Sequence, residues 1–166
     1  MKNIILSFTF LSLILFFSSH LFGFNLEQER YYLPDKIKPY VDKTFSVNAT
    51  ERAEASYKLG QIGPSAEKSV PFLMRLLDDN LPVWCRYNGY GEWTTPGKEA
   101  AKALAEIGMP SLKYLLPLLE KNHPYVFMNE FMEKNVIFVL SKITGQEFGK
   151  DFGKWIEWIK NQQSYE

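Results

Sequence analysis

Three times between residues 55 and 145 the chain spells a leucine, a small residue, a polar residue, an isoleucine and, at once or one residue on, a glycine. The copies are Leu59-Gly60-Gln61-Ile62-Gly63, Leu104-Ala105-Glu106-Ile107-Gly108 and Leu140-Ser141-Lys142-Ile143-Thr144-Gly145. Leu and Ile three apart share one helix face and can enter one core. The small residue after Leu lets a neighbouring helix come close, and glycine past the last periodic position stops the helix in a left-handed turn. Such a repeat constrains the fold strongly, because each unit buries its apolar face only against its neighbours.

Each copy leads into a second amphipathic stretch. Val70, Leu73, Leu76 and Leu77 follow the first, Leu112, Leu115, Leu116 and Leu119 the second, and Phe152, Trp155, Ile156 and Ile159 the third. Pro64 and Pro110 fall at the turns, where a missing N–H at a helix start costs little. The unit is therefore helix, tight turn, helix, with second helices expected at residues 66–79, 111–121 and 151–162. These residues resemble the HEAT-repeat family, particularly the bacterial HEAT-like repeats of the phycobilisome-lyase type. Glu51 to Asn80 is the clearest copy, Lys98 to Asn122 a second, and Asn135 to Gln162 a looser third. The resemblance implies an all-α fold, a short right-handed α-solenoid of about three antiparallel helix pairs occupying residues 51–166. It also implies that the second helices line a concave side, where Arg75, Lys113, Glu120 and Lys154 are candidate surface charges. HEAT proteins are mostly scaffolds and adaptors, so the functional expectation comes by analogy.

The N-terminus has a different character. Lys2 precedes an uncharged apolar run, Ile4 to Phe17, and Gly23 offers a small residue for cleavage. This pattern predicts a secretory signal over residues 1–23 and an exported protein. The alternative is a signal that stays uncut, with residues 4–17 tethering the protein to the membrane. Residues 24–50 are expected to cap the first repeat, Ile37, Tyr40, Val41 and Phe45 forming a short apolar set there. Asn48, with Glu51 three positions on, is a candidate helix start, and Thr50 a competing one.

Nineteen basic and nineteen acidic side chains cancel, so no overall field favours nucleic acid. Cys85 is the single cysteine, which leaves no intrachain disulfide. It is read as a buried apolar residue or as a link to a second chain. Catalysis finds no constellation. Beyond the signal His123 is the one histidine, with no companion at metal-ligand spacing and no nucleophile motif. Gly89-Tyr90-Gly91 is too short for a phosphate loop, and Asp78-Asp79 reads as a solvated helix end. The expected site therefore contains no catalytic residue, metal or cofactor. One alternative survives through the family: a lyase- or chaperone-like protein that handles a bound tetrapyrrole.

Residues 80–97 depart from the repeat. Asn80-Leu81-Pro82-Val83-Trp84-Cys85-Arg86-Tyr87-Asn88-Gly89-Tyr90-Gly91-Glu92-Trp93-Thr94-Thr95-Pro96-Gly97 stands where a plain repeat needs a few residues. Loops of this length are uncommon unless functional or disordered, and this one is too aromatic for disorder. Trp, Tyr and Arg dominate binding hot spots. Trp84, Arg86, Tyr87, Tyr90 and Trp93 are thus candidate residues for binding a protein partner whose identity the sequence does not give. The same side chains could instead plug the junction between hairpins, a reading that weighs more for Trp84 beside Val83 and Cys85. The aromatics Phe152 and Trp155 have helical spacing and are expected in the core. Trp158 is expected near that stripe, and Phe131 and Met132 are expected to pack in the third pair with Tyr125 and Phe127. The expected function is a non-catalytic interaction or scaffold module of the cell envelope, meeting its partner through the concave side and this loop.

Overall fold

The computed structural model describes residues 26–87, 89–121 and 128–163. The chain divides into two compact units, residues 1–33 and 34–166. The first contributes one short helix to the described residues, α1 (Leu26–Tyr31), which buries none of its side chains. The predicted signal, His123, Tyr125 and Phe127 lie outside the described residues. Among those described, no helix is long and apolar enough to cross a membrane.

The second unit is mostly helical. It contains α2 (Lys38–Lys43), α3 (Ala49–Ile62), a 3-10 turn at Gly63–Ser69 running into α4 (Val70–Met74), and α5 (Pro96–Ile107). A 3-10 turn at Met109–Ser111 then leads to α6 (Leu112–Lys121), followed by α7 (Glu130–Thr144) and α8 (Phe152–Gln163). Helix α3 packs on α5 and α5 on α7, so the three helices carrying the repeated motif adjoin in chain order. Helix α6 packs on α8, and α2 packs on α3.

The repeated leucines behave alike, whereas of the motif isoleucines Ile107 is buried and Ile62 and Ile143 are half-buried. Leu59, Leu104 and Leu140 are fully buried. A side chain at Gly60 would lie 2.9 Å from the Ala103 Cα, so glycine is what allows α3 and α5 to touch there. Gly63 and Gly108 end their helices with nearly the same backbone angles, φ 67° and 81° with ψ −144° in both, a region open to glycine alone. Gly145 ends α7 in the ordinary left-handed conformation. Among the second stretches, Leu73, Leu77, Leu115, Leu119, Trp155 and Ile159 are buried. The first of these stretches is not the continuous helix expected over residues 66–79. Pro64 and Pro71 withhold backbone donors, and a 3-10 turn, a short helix and further turns take its place.

Helix starts follow local chemistry. Asn48 Oδ1 accepts from the Thr50 N–H, while the Glu51 carboxylate accepts from the Ser46 hydroxyl. Thr95 Oγ1 accepts from the Lys98 N–H with Pro96 next in line, a hydroxyl cap followed by a first-turn proline. Asp79 corrects the reading of a solvated helix end. Its Oδ2 accepts from Arg52 Nε at 2.7 Å, and Arg52 Nη1 also donates to the carbonyls of Ser46 and Val47. The α2–α3 connection is thereby tied to the end of the α4 turn. Phe152 and Trp155 are buried as expected. Trp155 donates from Nε1 to the Gly149 carbonyl at 2.9 Å, and Phe148 meets its ring edge-on. Phe131 departs from expectation, standing exposed on α7.

Candidate functional site

Residues 80–97 do not form an irregular loop. They fold into an antiparallel hairpin, β1 (Val83–Tyr87) and β2 (Tyr90–Thr94), so the all-α expectation holds apart from this insertion. The pairing is Val83 with Thr94, Trp84 with Trp93, Cys85 with Glu92, Arg86 with Gly91 and Tyr87 with Tyr90. The signal was present in the sequence: Val83, Cys85 and Tyr87 alternate with Trp84 and Arg86, and Asn88-Gly89 is a strong two-residue hairpin turn. Gly89 has φ 88°, as such a turn requires of its glycine.

Strand alternation sorts the aromatics into two roles. Val83 and Cys85 are buried against Ala53 of α3, with Ala49 and Tyr87 completing the cluster. The Tyr87 ring stacks on Tyr57 of α3, centroids 4.0 Å apart and planes 16° from parallel. Burial raises the Cys85 thiol above its ordinary range, and the Tyr87 phenol is pushed up by burial and by the neighbouring thiol. Tyr87 thus anchors the hairpin, as the plug reading had it, and Cys85 is a buried free thiol.

The other face looks outward. Trp84 and Trp93 meet edge-to-face with centroids 5.6 Å apart, yet remain 51% and 70% exposed. The Trp84 ring lies over Gly91, where any side chain would collide with it. This overturns the view of Trp84 as a core residue: its buried neighbours Val83 and Cys85 point the opposite way. Arg86 is exposed on this face; Tyr90, paired with Tyr87 and so on the opposite face, is 84% exposed beside the turn. The structure therefore brings Trp84 and Trp93 together, sets Arg86 across from Gly91, and assigns Tyr87 to the packed side.

A groove of about 350 Å³ runs beside Trp93, lined also by Lys98, Ala101 and Lys102 of α5 and by Asn135 and Phe138 of α7. Phe138 was missed by sequence reasoning, which took its segment for the core of the third repeat. The floor of the hairpin is polar. Glu99, buried, accepts from Thr94 Oγ1 at 2.6 Å and from Lys102 Nζ at 2.8 Å, and Lys102 also pairs with Glu92. Burial opposes the charge on Lys102, but the hydrogen bonds to Glu99 and Glu92 outweigh it, so its ammonium titrates above its ordinary range.

The charges expected along the second helices are engaged within the chain. Arg75 donates to the Thr44 carbonyl and lies 4.0 Å over the Phe45 ring. Lys113 pairs with Glu67, Glu120 with Lys160 and Lys154 with Asp151. Among the described residues no group of three or more His, Cys, Asp or Glu side chains is arranged to hold a metal ion. Comparison of the chain with family models, with curated proteins and with solved structures returns no match.

Proposed function

We propose that this chain is an exported, non-catalytic binding module built from about three HEAT-like helix pairs, and that it holds a protein partner on the outer face of its hairpin. The observation that carries the reading is the exposed Trp84–Trp93 pair. Leaving two indoles in water forfeits several kcal/mol of burial that the fold could have used. The opposite face of the same strands is packed on α3, so the indoles are presented on a supported element. Preorganised aromatics of this kind lose little entropy on docking. The successive packing of α3, α5 and α7 and the matching stops at Gly63 and Gly108 support the stacked-pair arrangement. The internal pairing of Lys113, Glu120 and Lys154 favours the hairpin over the second helices as the contact surface.

The test is a cross-linking capture from native envelope with the chain from Asn25 onward, run beside a Trp84→Ala/Trp93→Ala variant of unchanged melting behaviour. A partner held by the first and lost by the second supports the proposal. Equal capture by both sinks it.

A further inference from the structure

Alongside β1, the elements α2, α3 and β1 border a separate groove of about 310 Å³. Its walls carry Tyr40 and Lys43 of α2, Glu54, Tyr57 and Lys58 of α3, and Arg86 and Tyr87 of β1. The volume lies at the small end of ligand pockets, suited to a molecule with one ring. Two of the aromatic walls are held in place before any ligand arrives. Tyr87 is fixed by the packing of β1, Tyr57 stacks on it, and the Tyr57 hydroxyl accepts from Gln61 Nε2 at 2.8 Å.

The charge at this groove is unbalanced. Elsewhere several described lysines are ion-paired: Lys38 with Asp42, Lys102 with Glu92 and Glu99, Lys134 with Glu130, Lys150 with Glu133. Lys43, Lys58 and Arg86 have no ion-pair partner among the described residues, although Glu54 stands one helical turn before Lys58. Lys58 hydrogen-bonds Gln61 and lies 5.6 Å from the Tyr57 ring centre. Three cations and one carboxylate leave a local surplus of two positive charges in a chain whose total is zero. A one-signed cleft with low-dielectric walls concentrates a counter-charge, and a phosphate monoester brings about two negative charges near neutral pH.

We propose that this groove binds a small aromatic phosphate monoester, its ring among Tyr40, Tyr57 and Tyr87 and its phosphate between Lys43, Lys58 and Arg86. The site is distinct from the Trp84–Trp93 surface, taking only Arg86 and Tyr87 from the hairpin residues considered for partner binding.

The test titrates the intact chain with phenyl phosphate at low salt by calorimetry, with phenol and inorganic phosphate as the separated halves. Phenyl phosphate is expected to bind at least tenfold tighter than either half, and added salt to weaken it. Lys43→Gln/Arg86→Gln should weaken binding by at least about tenfold. Glu54→Gln, which removes the opposing charge from an exposed position, should tighten it about threefold. Trp93→Ala should leave it unchanged, which separates this site from the partner surface. A phosphotyrosine placed inside a short peptide distinguishes the sources: binding equal to phenyl phosphate marks a displayed ligand, and weaker binding a free one. Phenyl phosphate that binds no better than phenol, or equally well to a natively melting double variant, overturns the proposal. Should that double variant melt differently, Glu54→Gln decides, since unchanged or weakened binding there also overturns it.

Discussion

The molecule has two tryptophan pairs, and they meet opposite fates. Trp155 and Trp158 lie three apart on α8. Trp155 is wholly buried, its indole N–H satisfied by a carbonyl, and Trp158 is half-buried. Trp84 and Trp93 are nine apart in sequence and directly paired across a hairpin, and both are largely in water. Composition is the same in both places; the period of the element decides. A helix places residues three apart on nearly one face, so an apolar stripe turns together toward the core. A strand divides its residues between two faces, and here the inner one is filled by Val83, Cys85 and Tyr87.

The sharpest test of this contrast is truncation of each kind of indole. Trp155→Ala should cost about 3–5 kcal/mol of unfolding free energy in denaturant titration, the range for a large buried aromatic. A loss below 1 kcal/mol would erase the distinction between the pairs. Gly60→Ala tests the helical side differently. Its new methyl group would press on the Ala103 backbone, and a destabilisation of about 1–3 kcal/mol is expected, measured in the same way.

The inner face of the hairpin should show itself in alkali. The Cys85 thiol and the Tyr87 phenol both hold their protons more tightly folded than unfolded, so the unfolded chain releases them first. Stability is therefore complete below the ordinary thiol value of 9.0 and falls as pH rises through it and through 10.0. Lys102, also raised, contributes in the same direction. Urea midpoints measured from pH 7 to 11 should decline, and Tyr87→Phe should flatten the decline. The smallest effect belongs to the outer face. Trp93→Ala should change stability by less than about 1 kcal/mol, the worth of an exposed aromatic contact. A larger loss would show that the outer pair supports the fold, and would weaken its claim to be a binding surface.

Much of the helical part was legible because its signals are local. The Leu-small-polar-Ile-Gly motif specified three buried leucines and where two helices stop with matching geometry. Thr95-Pro96 and Asn48 announced helix starts through the side-chain oxygens that cap them. The hairpin was missed because its length was weighed and its alternation was not, although Asn88-Gly89 stood between two alternating runs. Asp79 was misread for another reason: its partner Arg52 is 27 residues away, and no local pattern reveals it. The groove was invisible for the same cause. Glu54, Tyr57 and Lys58 share a helix face by spacing, but only the packing of α2 and β1 on α3 brings Lys43 and Arg86 beside them.

The edge-to-face contact of Trp84 and Trp93 has an optical consequence. Two indoles at 5.6 Å have transition dipoles that interact strongly, and their absorption splits into paired bands of opposite circular dichroism. That couplet exists only while β1 and β2 hold register. The molecule thus has its own gauge of hairpin integrity, readable beside the helical bands in one spectrum, and able to tell whether the strands open before, with or after the helices that carry them.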